Sequence, residues 1–182
     1  MTDAAATVRI GWGRDRHPFG PGEPLRLGGV ELPGAPRLHG HSDGDVLLHA
    51  VADALLGAAA LGDLGRLFPA DERTPRGIGS EVLLATALER VTDAGWRAAS
   101  VDATVIGARP RLAAHLGAMH DRIAQLLDLP SDAVSVKASS GNLQGPEGEG
   151  RALAAEVVAV LAPARAADPG GPTVPGSRAS RP

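Results

Sequence analysis

The chain contains no cysteine, which excludes disulfides and thiolate metal sites; any metal must be held by His, Asp or Glu. Aromatic residues make up only 2% of the sequence, so a core has to be built from Ala, Leu and Val. No run of basic residues occurs, and the formal charge is −3. Nothing therefore tracks a phosphate backbone, and no nucleic-acid partner is expected. No apolar stretch reaches the roughly 18–20 residues of a membrane span, and the opening MTDAAATVRI is too short and polar for a signal peptide. The expectation is a cytoplasmic protein without a membrane partner.

What is present describes one domain. A length of 182 residues, 43% hydrophobic and 21% charged, suits a single core. Residues 1–7 are polar and expected to fray. Val8–Gly11 reads as a short strand, followed by a turn carrying Arg14-Asp15-Arg16-His17. Leu25–Leu27 and Val30–Leu32 alternate around Gly28-Gly29, which predicts a two-residue hairpin. After a loop from Arg37 to Gly44, Ser42 or Asp43 caps a helix over about Asp45–Ala60. Phe68–Gly79 is a polar loop, longer than most connections and a candidate lid. Ser80 caps a second helix ending at Gly95. Ser100–Gly107 alternates as a strand, Leu112–Leu127 keeps helical spacing, and Val134–Ala138 reads as a strand. A Gly-rich loop, Gly141–Gly150, leads to an expected final apolar helix ending near Leu161. From Pro163 the composition shifts to Ala, Pro, Gly, Arg and Ser, expected to be disordered. The boundaries are thus a domain at 8–162 with tails at 1–7 and 163–182, and the element order predicts one sheet with helices packed on it.

Three residues carry candidate metal chemistry. Asp15-x-His17 lies just after a strand, and His49 sits inside the apolar helical segment VLLHAVADALL. One carboxylate and two imidazoles leave a fourth position open, as in a catalytic zinc site rather than a structural one. The spacing alone is a weak signal, because a helix histidine is commonly a core or surface residue. Asp45 and Asp53, four residues either side of His49, are candidates to orient its imidazole. His41-Ser42-Asp43-Gly44-Asp45 opens the same helix, and a helix N-terminus with a His and a Ser suits a phosphate; the plain alternative is capping. A second anion cradle is possible at Gly145–Gly150, with Lys137, Ser139 and Ser140 nearby as a cation and two hydroxyls.

Together these segments resemble the 2-C-methyl-D-erythritol 2,4-cyclodiphosphate synthase family of the non-mevalonate isoprene pathway. The resemblance runs from about Arg9 to Leu161 and rests on RIGWGRDRHPF and HSDGDVLLHAVADALLGAAALGDLGRLFP, with VDATVIGARPRL and VKASS in support. It implies a single-domain α+β fold, a mixed sheet with helices on one face, assembled as a homotrimer. It implies a lyase that converts 4-diphosphocytidyl-2-C-methyl-D-erythritol 2-phosphate to the cyclic diphosphate and CMP. On the family pattern Asp15, His17 and His49 match zinc ligands. His41, Ser42 and Ser140 match catalytic groups at the phosphates, the first two holding the substrate phosphate. Asp63, with Gly65, Phe68 and Ser80, matches positions around the substrate. Gly107, Arg111, Leu112 and Ala113, with Lys137, Ala138, Ser139 and Ser140, match a nucleotide pocket contributed by a neighbouring subunit. A second cation, Mg²⁺ or Mn²⁺, is implied at the diphosphate.

The resemblance fails in one place. From Lys137 to Gly150 the sequence is about two residues shorter than the family pattern and lacks the acidic residue that holds Mg²⁺. Glu147 stands where the family has an Arg that binds phosphate at the trimer centre. The expectations are a weakened Mg²⁺ requirement, repulsion of an anion from that centre, and Glu147 as a possible replacement metal ligand. Arg14 and Arg16 are expected to add positive charge beside the metal turn. Two other readings follow from the altered loop: a paralogue acting on another nucleotide-activated phosphate, or a non-catalytic zinc-holding trimer that binds a phosphorylated ligand.

Overall fold

A computed structural model describes residues 7–164; the expected tail calls at 1–6 and 165–182 lie outside it. Four strands form one sheet in the order β1 (Arg9–Pro18), β6 (Ala152–Pro163), β4 (Trp96–Ile106), β5 (Val134–Ser139). β6 runs antiparallel to both neighbours, and β4 and β5 are parallel. A separate hairpin, β2 (Leu25–Leu27) and β3 (Val30–Leu32), turns at Gly28-Gly29 as its alternation predicts. Both glycines have positive φ, +61° and +74°, which side chains rarely tolerate.

Three helices pack against one face of the sheet: α1 (Val46–Ala58), α3 (Ser80–Asp93) and α4 (Leu116–Leu126). Short helices α2 (Leu64–Leu67) and α5 (Gly145–Gly148) complete the order. Helix α1 is buried almost throughout, between sheet and α3. Among the described residues the fully buried apolar side chains are Ala, Leu and Val, apart from Met119 and Ile123, as the shortage of aromatics requires.

Two expectations are corrected by strands. The final apolar run is β6 rather than a helix. It lies between β1 and β4 with α1 across one face, and its other face is also mostly apolar (Ala152, Ala154, Val158, Val160), so the run has little polar alternation to separate a strand from a buried helix. The expected turn at Arg14–His17 is instead the second half of β1, which continues to Pro18 paired with Ala152. That strand carries the site. Its two-residue period puts Gly11, Gly13, Asp15 and His17 on the helix side and Ile10, Trp12, Arg14 and Arg16 on the other. A Cβ on Gly11 would stand 1.9 Å from the Ala54 carbonyl oxygen, and one on Gly13 2.1 Å from that of Ala50. Only glycine lets α1 lie so close, and this brings His49 down to Asp15.

The caps also differ. Asp45, not Ser42 or Asp43, caps α1, accepting from the N–H groups of Leu47 and Leu48. The same carboxylate accepts from Gly28 and Gly29 at 2.8 and 2.7 Å, pinning the hairpin to the helix start. Ser80 begins α3 without capping it, and α4 starts at Leu116 rather than Leu112. The expected lid, residues 68–79, is tied down at its far end: Gly77 N–H donates to the His41 carbonyl, and Asp43 N–H to that of Ile78.

Candidate metal centre

Asp15 and His17 reach the centre from one face of β1, and His49 from the first turns of α1. Asp15 Oδ2 lies 2.8 Å from His17 Nε2 and 2.8 Å from His49 Nδ1, and the candidate ligand atoms of the three all lie within 4.8 Å of one another. Burial alone would raise the pKa of Asp15, but hydrogen bonds and charge from His17 and His49 outweigh it and hold the carboxyl well below its usual range. For His17 burial acts downward; the bond to Asp15 and its negative charge prevail and raise the pKa. Two imidazoles crowding one carboxylate oxygen is the electrostatic pattern of a site that suits a divalent cation.

The donor set fits such an ion. His17 Nδ1 lies 2.6 Å from the His39 carbonyl oxygen, an acceptor that requires the proton on Nδ1 and leaves the Nε2 lone pair facing Asp15. A carboxylate and two imidazoles suit zinc and similar borderline metals and leave a coordination position free.

The centre opens into a cavity of about 290 Å³ whose lining includes His41, Ser42, Asp53, Gly65 and Phe68. His41 Nε2 donates to the Thr74 carbonyl at 2.7 Å, which holds its ring at the cavity wall. Ser42 Oγ accepts from Gly44 N–H at 3.1 Å. The α1 N-terminus itself is not an open anion cradle, because the carboxylate of Asp45 already occupies its N–H groups at Leu47 and Leu48. In Gly145–Gly150 the N–H groups of Gly148, Glu149 and Gly150 donate to carbonyls close by in the chain and are not offered to an anion.

Neither carboxylate expected to orient His49 does so. Asp45 holds backbone, and Asp53 Oδ1 accepts from Leu64 N–H at 2.7 Å, starting α2. Two hydroxyls take that place, Ser42 Oγ at 3.1 Å and Ser80 Oγ at 2.9 Å from His49 Nε2. Ser80 is only 1% exposed, and its hydroxyl faces His49 and Asp43 rather than the cavity. Its role was not legible, since it lies 31 residues from His49 and nothing in the local pattern links them.

A second cavity, about 370 Å³, gathers Gly107, Arg111, Leu112, Ala113, Ala138, Ser139 and Ser140. It shares no lining residue with the metal cavity. Lys137 is outside it, paired with Asp102 at 2.5 Å on the far face of the sheet. Asp63 caps α2 by accepting from Arg66 N–H at 2.9 Å and is exposed beside the metal cavity rather than in its wall.

The altered loop is also relocated. Glu147 is buried and forms an ion pair with Arg16 at 2.5 Å. Arg16 points away from Asp15 because neighbours on a strand face opposite sides, so Glu147 is not a ligand of this centre. Its charge is countered by Arg16, which removes the basis for a bare repulsive carboxylate. Arg14 likewise pairs with Glu156 on the far face, at 3.5 Å, rather than flanking the metal. Glu149 is bonded to Arg151. Among the described residues, 137–150 therefore offer no carboxylate free of an ion pair for a second cation.

Comparison with known proteins agrees with this geometry. The model of the YgbB family matches residues 8–162. A 2-C-methyl-D-erythritol 2,4-cyclodiphosphate synthase from Alkalilimnicola ehrlichii is 49% identical over 156 residues, covering 85% of this chain and 95% of its own. A solved synthase in a CDP-bound form superposes with a TM-score of 0.73 at 37% identity, over 84% of this chain and 99% of that one. The bifunctional IspDF from Campylobacter jejuni superposes with a TM-score of 0.83 at 35% identity, over 87% of this chain but 43% of that longer one. With its family match spanning nearly the whole described chain, this protein belongs to the YgbB family of 2-C-methyl-D-erythritol 2,4-cyclodiphosphate synthases.

Proposed function

We propose that the chain converts 4-diphosphocytidyl-2-C-methyl-D-erythritol 2-phosphate to 2-C-methyl-D-erythritol 2,4-cyclodiphosphate and CMP, as a zinc-dependent homotrimeric lyase of isoprenoid synthesis. The observation that carries this reading is the convergence of Asp15, His17 and His49 at the mouth of a cavity walled by His41 and Ser42. The names of the relatives supply the product, and the CDP-bound synthase supports a cytidine nucleotide as the leaving part of the substrate.

The reaction is an intramolecular displacement. An oxygen of the substrate's 2-phosphate attacks the β-phosphorus, a new P–O bond forms, and the bond from that phosphorus to the bridging oxygen breaks, releasing CMP. Zinc bound at the three ligands would supply Lewis-acid polarisation of the β-phosphate. The protein provides no nucleophile. His41 and Ser42 hold the phosphate, while Leu64, Gly65 and Phe68 wall the erythritol side and limit water. The anchored backbone around His41 keeps these groups in place before substrate arrives.

The nucleotide is assigned to the second cavity, lined by Gly107, Arg111 and Ala138 to Ser140. Since the two cavities are separate within one chain, a neighbouring copy brings its loop to this metal centre. The sheet face without helices supports that assembly. Ile10 and Trp12 on β1 are 70% and 60% exposed, beside Val158 of β6 at 41%. An apolar patch of this kind fits a second copy of the chain. No step is assigned to a second cation, for which residues 137–150 present no free carboxylate.

Incubating the zinc-loaded protein with the cytidylyl substrate and following products by mass tests the reading. Equal amounts of CMP and cyclic diphosphate are expected. Absence of turnover by a metal-loaded sample would point to a different activated phosphate, or to binding without catalysis.

A further inference from the structure

We infer that Ser80 and Asp43 form a proton-fixing relay that positions His49 as a metal ligand, a role that rests on the metal centre proposed above. Asp43 lies just ahead of α1 and Ser80 opens α3, so the relay links two segments 37 residues apart. Asp43 holds Ser80 twice: Oδ2 accepts from Ser80 N–H at 3.0 Å, and Oδ1 accepts from its hydroxyl. A serine has one hydroxyl proton. With that proton on Asp43, Ser80 Oγ can only accept from His49 Nε2, 2.9 Å away.

The consequence is a defined tautomer. With a cation at the centre, Nε2 would carry the proton and Nδ1, the nitrogen that lies 2.8 Å from Asp15 Oδ2 and is turned toward His17, would give up its proton and offer its lone pair to the ion. The negative charge at the far end of the relay makes Nδ1 a better donor to a cation, as carboxylates behind ligating histidines do. The Ser80–His49 end of the relay is almost closed to water, with Ser80 1% and His49 8% exposed, while Asp43 is half-buried. Water can therefore not easily replace the missing partner.

Ser42 differs from Ser80 although both oxygens approach Nε2. Ser42 Oγ accepts from Gly44 N–H, but among the described residues no carboxylate takes its hydroxyl proton. Once Nε2–H is directed at Ser80, the Ser42 hydroxyl is free to turn toward a phosphate in the cavity it lines. One serine orients the ligand and the other faces the substrate.

The test is metal affinity, read by chelator competition and by the Co²⁺ ligand-field spectrum of the full chain, with no substrate present. Ser80→Ala is expected to weaken Zn²⁺ and Co²⁺ binding by about 10–100-fold and to alter the Co²⁺ absorption, while Ser80→Thr, which keeps the hydroxyl, recovers most of it. Asp43→Asn offers an N–H where a carboxylate oxygen stood, favours the reversed tautomer, and is expected to weaken binding as well. The melting temperature of the metal-free variants identifies a folding defect, in which case the Asp43→Asn and Ser80→Thr pair decides. Wild-type affinity in both Ser80→Ala and Asp43→Asn, with binding lost in His49→Ala, overturns the relay and leaves the metal centre standing. Failure of the wild-type protein itself to bind either ion overturns the centre and the relay together.

Discussion

Burial and pairing act in opposite directions on Asp15 and His17, and pairing prevails at both. The carboxyl is held low, so its contribution to the metal-free fold is present above the ordinary value of 3.8 and is lost only as pH falls through its lowered pKa. The imidazole of His17 is held high, so its contribution is present below 6.5 and is lost as pH rises through its raised pKa. A bound cation replaces that proton. The gain in melting temperature on adding Zn²⁺ is therefore predicted to grow between about pH 6 and about pH 8; a gain that stays flat across this range would count against His17 as a ligand. Asp45 gives a second prediction at this scale. Its carboxylate serves four backbone N–H groups from two elements, so Asp45→Ala should cost about 3 kcal/mol in urea unfolding, more than an ordinary cap. The sequence marked Asp45 as a possible orienter of His49 because the two share helical spacing. It could not show that Gly28 and Gly29, sixteen and more residues earlier, would claim the carboxylate instead.

At the scale of elements, the centre depends on how closely α1 rides on β1. Gly11 and Gly13 leave room for helix backbone where any Cβ would collide with it. Gly13→Ala is predicted to destabilise by about 1–3 kcal/mol through overpacking. It should also weaken metal binding, since it pushes β1 and Asp15 away from His49. Calorimetry and chelator competition on the same variant read both effects, and unchanged values in either would contradict the role given to this contact. The hairpin and the α1 and α3 cores were legible from alternation and helical spacing. β6 was not. Ala152–Pro163 has α1 across one face and residues that are mostly apolar on the other as well, so its apolar run carried no polar period to distinguish strand from helix. Reading Asp15-x-His17 as a turn likewise missed that strand alternation alone puts both side chains on one face and Arg14 and Arg16 on the other.

At the scale of the molecule, one sheet face carries the helices and the candidate metal ligands, while the other leaves Ile10, Trp12 and Val158 in solvent. Trp12→Glu is predicted to dissociate the proposed assembly and to depress turnover while leaving metal content intact, as judged by sedimentation and elemental analysis. A fully active monomer would refute the shared site. The loop at 137–150 has its carboxylates in ion pairs, Glu147 with Arg16 and Glu149 with Arg151. Turnover should accordingly depend steeply on Zn²⁺ and only weakly on added Mg²⁺. This inversion was only half readable: the sequence showed Glu147 in place of an expected Arg, but not that Arg16 on a neighbouring strand would answer it.

The most direct measurement is to strip the protein of metal, add Zn²⁺ back in steps, and follow CMP release from the cytidylyl substrate. The account predicts no release without metal, a rise that saturates when the Asp15–His17–His49 centre of every chain is filled, and no recovery in His49→Ala. Turnover by the stripped protein, or by His49→Ala, would contradict it.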